Sequence, residues 1–166
     1  MKNVCVYCGS RKPLDIEIRS LVYGGGKVGM MGLIADASLS NNGEVIGVIP
    51  THLKRAEVAH TGLTKLHETQ DMHTRKALME SLSDAFVVLP GGFGTLDEFF
   101  EILTWRQLGI HNKPIILVNI NGYFDGLELF TKKAVSEDFI KEEGLELFQI
   151  AHSLEECIVV LMKCPT

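Results

Sequence analysis

The stretch PGGFGTLDE, residues 90–98, sets Gly91, Gly92 and Gly94 between an apolar run and a helical pattern. A buried strand that passes through glycines into a helix N-terminus makes a backbone cradle for phosphate. Glycine admits close approach, and unpaired N–H groups with the helix dipole favour an anion. The lysine that closes an ATP-binding P-loop is absent after the last glycine, so the loop suits a single phosphate better than a magnesium-bound triphosphate. Asp97 and Glu98 follow at once. A carboxylate beside a bound anion is unfavourable unless an adjoining atom turns cationic during reaction, as a sugar does when it loses its base. A plainer explanation stands beside this one. Thr95-x-x-Glu98 has the spacing of a capping box, with Thr95 at the N-cap and Glu98 reaching back to its N–H. Spacing alone does not separate the two.

Two further stretches carry chemistry. In DMHTRKALMESL, residues 71–82, Arg75 and Lys76 fall in the first turns of a helical pattern, where the helix dipole disfavours cations. That placement points to an anionic partner such as a nucleotide, although solvated surface charge is the commoner fate of such a pair. In GGGKVGMMG, residues 24–32, a G-x-G-x-x-G follows a strand and precedes a helix, the context of a dinucleotide loop. Such a site also wants an acid ending the next strand, and that strand ends VIPTH. A packing role for these glycines is nearly as well supported. Cys5-x-x-Cys8 lies within a strand pattern, whereas redox pairs of this spacing normally open a helix, so packing is favoured for both thiols.

These stretches must be held by an alternation of strands and helices. Val4–Cys8, Leu21–Tyr23, Glu44–Pro50, Ala85–Pro90 and Pro114–Asn119 are almost wholly apolar, as a parallel sheet covered on both faces requires. Helical patterns cover Gly29–Ser40, Met72–Ser83, Thr95–Leu108, Phe124–Glu137 and Leu154–Met162. The prediction is an α/β domain, a doubly wound parallel sheet, with ligands beyond the carboxyl ends of the strands. Gly9-Ser10, Gly24–Gly26, Thr51–His60 and Gly91–Thr95 should then surround one crevice. One connection is short for a parallel crossover: Arg11–Ser20 leaves no room for a full helix. Either the first two strands are joined unusually or part of a crossover helix is missing, and the second reading is favoured.

Composition bounds the partners. The 166 residues suit one domain, and 46% hydrophobic residues suffice for a core. A net charge of −5 gives no nucleic-acid footprint. No apolar run reaches the length of a membrane span, and no signal-peptide pattern opens the chain, so a soluble cytoplasmic protein is expected. The six histidines show no metal-ligand spacing, and neither metal nor cofactor is expected.

Together and in this order, VYGGGKVGMMG, DMHTRK and PGGFGTLDE resemble the Lonely Guy family of cytokinin-activating phosphoribohydrolases, as does LTWRQLGIHNKP further on. The likeness runs from the first strand to the last helix. It implies a Rossmann-like single domain over residues 1–166, acting as a homodimer or a larger assembly of dimers. The implied reaction is hydrolysis of the N-glycosidic bond of a nucleoside 5′-monophosphate to free base and ribose 5-phosphate. Implied substrates carry an isoprenoid-type group on the adenine amine, with plain AMP often accepted. Matched motif by motif, Arg75 and Glu98 fall on the catalytic pair. Arg75, Lys76, Gly92, Phe93, Gly94, Thr95, Leu96, Asp97, Glu98 and Thr104 fall on substrate-binding positions. Glu57, in LKRAEVAH, matches an acid that contacts substrate, and Ser10, Gly25, Gly26 and Gly91 are further candidates for phosphate or sugar contacts. Members have often been labelled lysine decarboxylases, yet no lysine here sits in a recognisable pyridoxal phosphate setting. The rival reading is a nucleotide or molybdenum-cofactor carrier of the same fold, which needs the cradle but not the Arg75/Glu98 pair.

Overall fold

Strands that are apolar at every position must be covered on both faces, and the architecture follows from that demand. A computed structural model describes residues 3–8, 20–54 and 59–163. In chain order the elements are β1 (Asn3–Tyr7), β2 (Ser20–Tyr23), α1 (Met30–Ser40), β3 (Glu44–Pro50), β4 (Lys65–Thr69), α2 (Met72–Ser81) and β5 (Ala85–Val88). Then come α3 (Phe93–Gln107), β6 (Ile115–Val118), α4 (Asp125–Ser136), β7 (Gln149–Ala151) and α5 (Leu154–Lys163). Ser10, Glu57 and the short first crossover lie outside the described residues.

The sheet has 7 strands in the order β4-β3-β2-β1-β5-β6-β7, and every pairing is parallel. The order reverses between β1 and β5, which is the switch point where an open α/β sheet leaves a crevice. Alternation along each strand splits the core into two layers. On one face Val4, Val6, Cys8, Leu21, Tyr23, Val87 and Val118 pack with Ile34 of α1 and Leu161 of α5. On the other, Cys5, Tyr7, Val22, Val48, Phe86 and Leu117 pack with Met79 of α2, Phe99 and Ile102 of α3 and Phe124. Cys5 and Cys8 therefore point to opposite sides of β1 and cannot bridge, and both are buried free thiols. Burial, with the charge of Glu98 adding to it, pushes the Cys8 thiol up to about 12, so at neutral pH it is not the thiolate that redox or metal chemistry needs.

Two strands go beyond the sequence expectation, and both are edges. β4, KLHET, is mostly exposed or half-buried, because only one neighbour and one partly covered face ask anything of it. β7 is 3 residues long and carries a glutamine. Neither has the continuous apolar run by which the interior strands announce themselves. No helix among the described residues is long and apolar enough to cross a membrane.

Asp71 starts α2 by accepting the Thr74 N–H at 2.7 Å, and that backbone bond holds its carboxyl below the usual range. The start of α1 depends on a close approach instead. A Cβ on Gly32 would stand 1.9 Å from the Lys27 carbonyl oxygen, a backbone atom that cannot swing aside. Gly32→Ala should therefore cost about 1–3 kcal/mol, as overpacking does, and lower the melting temperature by roughly 2–12 °C. Thermal unfolding followed by circular dichroism measures this, and an unchanged midpoint would mean that the Lys27 turn relaxes freely.

Candidate active site

The crevice is built by helix N-termini brought to the carboxyl edge of the sheet. α3 begins earlier than its sequence suggested, with Gly92 as N-cap and Phe93 in the first helical position. The first intrahelical bond runs from Leu96 N–H to Gly92 O at 3.1 Å. Helix geometry therefore leaves the N–H groups of Phe93, Gly94 and Thr95 without intrahelical partners. A Cβ on Gly92 or Gly94 would meet nothing within 4 Å, so this turn faces open space. The capping-box reading fails here. Thr95 sits inside the first turn, Glu98 lies in the second, and no side chain caps the helix.

What Glu98 does instead is pair with Arg75. Its Oε1 lies 3.1 Å from Arg75 Nη1, and the two side chains are only 11% and 9% exposed. The guanidinium is fixed from two more sides. Arg75 Nε donates to the Val48 carbonyl in the carboxyl half of β3, at 3.0 Å. Its Nη2 rests against Gly24, where a Cβ would approach to 2.3 Å. Gly24 is thus the floor on which the guanidinium lies. Lys76 is buried as well. Its ammonium donates to Asp97 Oδ2 at 3.0 Å, and Glu101 Oε2 lies 3.1 Å away in an ionic contact. Burial alone lowers the Lys76 pKa, but Asp97 and Glu101 outweigh it and the net shift is upward. A raised lysine pKa stabilises the fold throughout the neutral range, and that contribution is lost only as pH rises through the folded value, above 10.5. The surface-charge reading of Arg75 and Lys76 is overturned: both are buried because α3 presents carboxylates to them.

The remaining candidates divide into those at the crevice and those turned elsewhere. Gly91 offers its carbonyl to the Tyr123 hydroxyl at 2.8 Å. Leu96 is half-buried against the core layer under α3. Phe93 is 93% exposed. Thr104 donates to its own helix at Phe100 O, 2.7 Å, and is exposed. At 1.5 Å per residue it lies about 13 Å along α3 from Thr95, away from the cradle of its own chain. Gly25 has φ 79, and a Cβ there would crowd Leu66 and Ile49 at 3.2 and 3.3 Å, so its glycine is demanded by packing. Its carbonyl accepts the His60 N–H at 3.0 Å, and Gly26 bridges to Ala59. Glu101 and Tyr123 escaped the sequence reading, and Gly24 was read there as a ligand or packing glycine rather than as the seat of a guanidinium. Glu101 repeats the position of Asp97 one turn later on α3, the single sequence signal that could have marked it. Among the described residues no three His, Cys, Asp or Glu side chains gather as metal ligands would.

Comparison with known proteins bears on this arrangement. A family model described as "possible lysine decarboxylase" matches residues 31–161. The cytokinin riboside 5′-monophosphate phosphoribohydrolase of Rhodococcoides fascians is 54% identical over 142 residues, covering 85% of this chain and 72% of its own. The enzyme of the same name, LOG1, from Arabidopsis thaliana is 42% identical over 172 residues, covering 95% and 81%. Among solved structures, a molybdenum cofactor binding protein from Rippkaea orientalis superposes with TM-score 0.66 at 22% identity, covering 96% of this chain and 93% of its own. At that identity the likeness speaks for the fold alone.

The Arg75–Glu98 pair makes a stability prediction of its own. Arg75→Met or Glu98→Leu alone leaves a charge largely buried without its partner and should cost about 3–5 kcal/mol. The double substitution removes both charges and should recover most of that loss. Urea unfolding of the four proteins closes the cycle, and simple additivity would show that the pair is not energetically coupled.

Proposed function

The chain belongs to the family of cytokinin riboside 5′-monophosphate phosphoribohydrolases, and we propose on that footing that it hydrolyses the N-glycosidic bond of adenine-type nucleoside 5′-monophosphates. The products are the free base and ribose 5-phosphate. The observation that carries the reading at the level of the site is the buried Arg75–Glu98 pair beside the unpaired amides of the α3 N-terminus. The 5′-phosphate binds the Phe93, Gly94 and Thr95 N–H groups, where the helix dipole supports it. Glu98, one turn deeper, then faces the ribose. Its carboxylate serves the reaction by stabilising positive charge at the anomeric carbon or by taking a proton from the attacking water. Arg75 sets the position of that carboxylate and offers its guanidinium fork to the substrate or to the departing base. AMP and adenine nucleotides bearing an isoprenoid group are both proposed as substrates. The three cysteines among the described residues are buried free thiols, which fits a reducing, cytoplasmic setting.

Two other readings fit less well. A pyridoxal-dependent decarboxylase needs a lysine that readily gives up its proton, and the two carboxylates beside Lys76 do the reverse. A cofactor carrier would use the cradle but has no need of a buried acid beneath it.

Purified protein should release base from AMP and from isopentenyl-AMP, while the unphosphorylated nucleosides should be poor substrates, because the cradle supplies binding energy through phosphate. Glu98→Gln should lower turnover roughly 10²–10⁴-fold while the protein remains folded, as judged by its melting curve. Near-wild-type turnover would take Glu98 out of the chemistry, and stable nucleotide binding without base release would favour the carrier.

A homodimer is also proposed, with its interface on the outer face of α3. Phe93, Phe100 and Leu108 are exposed there at helical spacing, followed by Ile110, whereas Trp105 is half-buried. Thr104 lies on the same stripe, so a second copy packed along it would bring another polar side chain near the crevice. Light scattering at micromolar concentration should give twice 18.4 kDa, and Phe100→Glu should shift it towards the monomer. A monomeric wild type would refute the interface.

A further inference from the structure

We propose that Tyr123 is a positioning residue for the phosphate cradle, fixing the orientation of the Gly91–Gly92 peptide; this rests on the reading of the α3 N-terminus as the phosphate site. The Tyr123 hydroxyl donates to the Gly91 carbonyl at 2.8 Å, across from the β6–α4 connection to the β5–α3 connection. The described peptides are trans. In a trans peptide the C=O and the following N–H point in opposite directions. Drawing the Gly91 carbonyl towards Tyr123 therefore aims the Gly92 N–H the other way, alongside the Phe93, Gly94 and Thr95 donors. Nothing else in a Gly-Gly peptide resists a flip, since neither residue has a side chain to restrict its dihedral angles.

The brace is itself rigidly mounted. Asn119, 2% exposed, ties the end of β6 to β7 through its N–H and the Ala151 carbonyl at 2.7 Å. Its side-chain oxygen accepts the Phe124 N–H and its amide nitrogen donates to Asp125 Oδ1, both at 2.7 Å. Between them the chain turns through Asn121 at φ 53 and Gly122 at φ 69. A Cβ on Gly122 would lie 2.5 Å from Asp125 Oδ2, so this turn is tight as well as left-handed. The Tyr123 ring then stands edge-on to the buried Phe124 ring, 4.9 Å between centroids and 87° between planes. A half-exposed tyrosine with no structural duty would not need such a mount.

The role is selective for the phosphate, and that makes it testable. Tyr123→Phe keeps the ring and its contact with Phe124 and removes only the hydroxyl. Titration calorimetry should show about fivefold weaker binding of ribose 5-phosphate, the loss expected for one neutral hydrogen bond, with adenosine binding and the melting temperature unchanged. KM for AMP should rise by the same factor while kcat stays within about twofold. A variant that binds ribose 5-phosphate as well as wild type does, or that loses adenosine equally, would overturn the inference alone. Wild-type protein that does not bind ribose 5-phosphate would overturn the cradle and this inference together. A selective loss of ribose 5-phosphate in a protein that never cleaves AMP would uphold the brace and reject the hydrolase.

Discussion

A guanidinium and an ammonium on adjacent residues, both driven out of water, are the constraint around which this molecule is arranged. A buried charge that is not paired and hydrogen-bonded costs several kcal/mol, typically about 3–5 for one half of a broken pair. Arg75 and Lys76 therefore dictate their surroundings. α3 must lie beside α2 with Glu98 and Glu101 turned inward and Asp97 reaching Lys76 from the exposed side. β3 must aim its Val48 carbonyl at Arg75, and β2 must run into a residue with no side chain. The apolar contacts of Met79, Phe99 and Ile102 beneath them hold the two helices at the distance the ion pairs need.

This arrangement accounts for acids standing beside a loop built to hold an anion. The proposed anion site is made of main chain alone, at the outermost turn of α3. The carboxylates project from the next turns of the same helix towards α2, and each meets a cation there. In the proposed reaction, backbone dipoles attract the negative end of the ligand, while the carboxylate steadied by Arg75 serves the part that turns positive. The two tasks do not conflict, because the helix separates them along its axis.

The interior of the sheet was legible in the sequence, since strands buried on both faces leave unbroken apolar runs such as PIILV and AFVV. The edges were not: KLHET and QIA carry no such pressure. The strand-to-helix turn at 90–94 was legible from its glycines. Its exact start was not, because Thr95-x-x-Glu98 imitates a capping box while Gly92 serves as the N-cap without any side chain. The Arg75–Glu98 pairing joins residues of two successive helices, and spacing along the chain carries no record of which helix faces meet. The glycines at 24–26 were read as a ligand loop with packing nearly as well supported, and Gly24 and Gly25 have clear packing reasons: one seats a guanidinium, and a Cβ on the other would crowd Ile49. Tyr123 was passed over because INGY resembles an ordinary turn, and its contact is made 32 residues away in sequence.

The two borders of the sheet limit how copies of this chain could meet. An open sheet exposes unpaired backbone groups along both outer strands, which invites another sheet to dock there. Here the β4 border carries Lys65 and Glu68, the latter tied to Lys54 at 2.6 Å. The β7 border is a mere 3 residues long. A strand so short or so heavily charged is a poor template for continuing the ladder. Strand pairing, which has no natural end, is thereby disfavoured, which leaves helix faces as the surfaces for the proposed closed dimer.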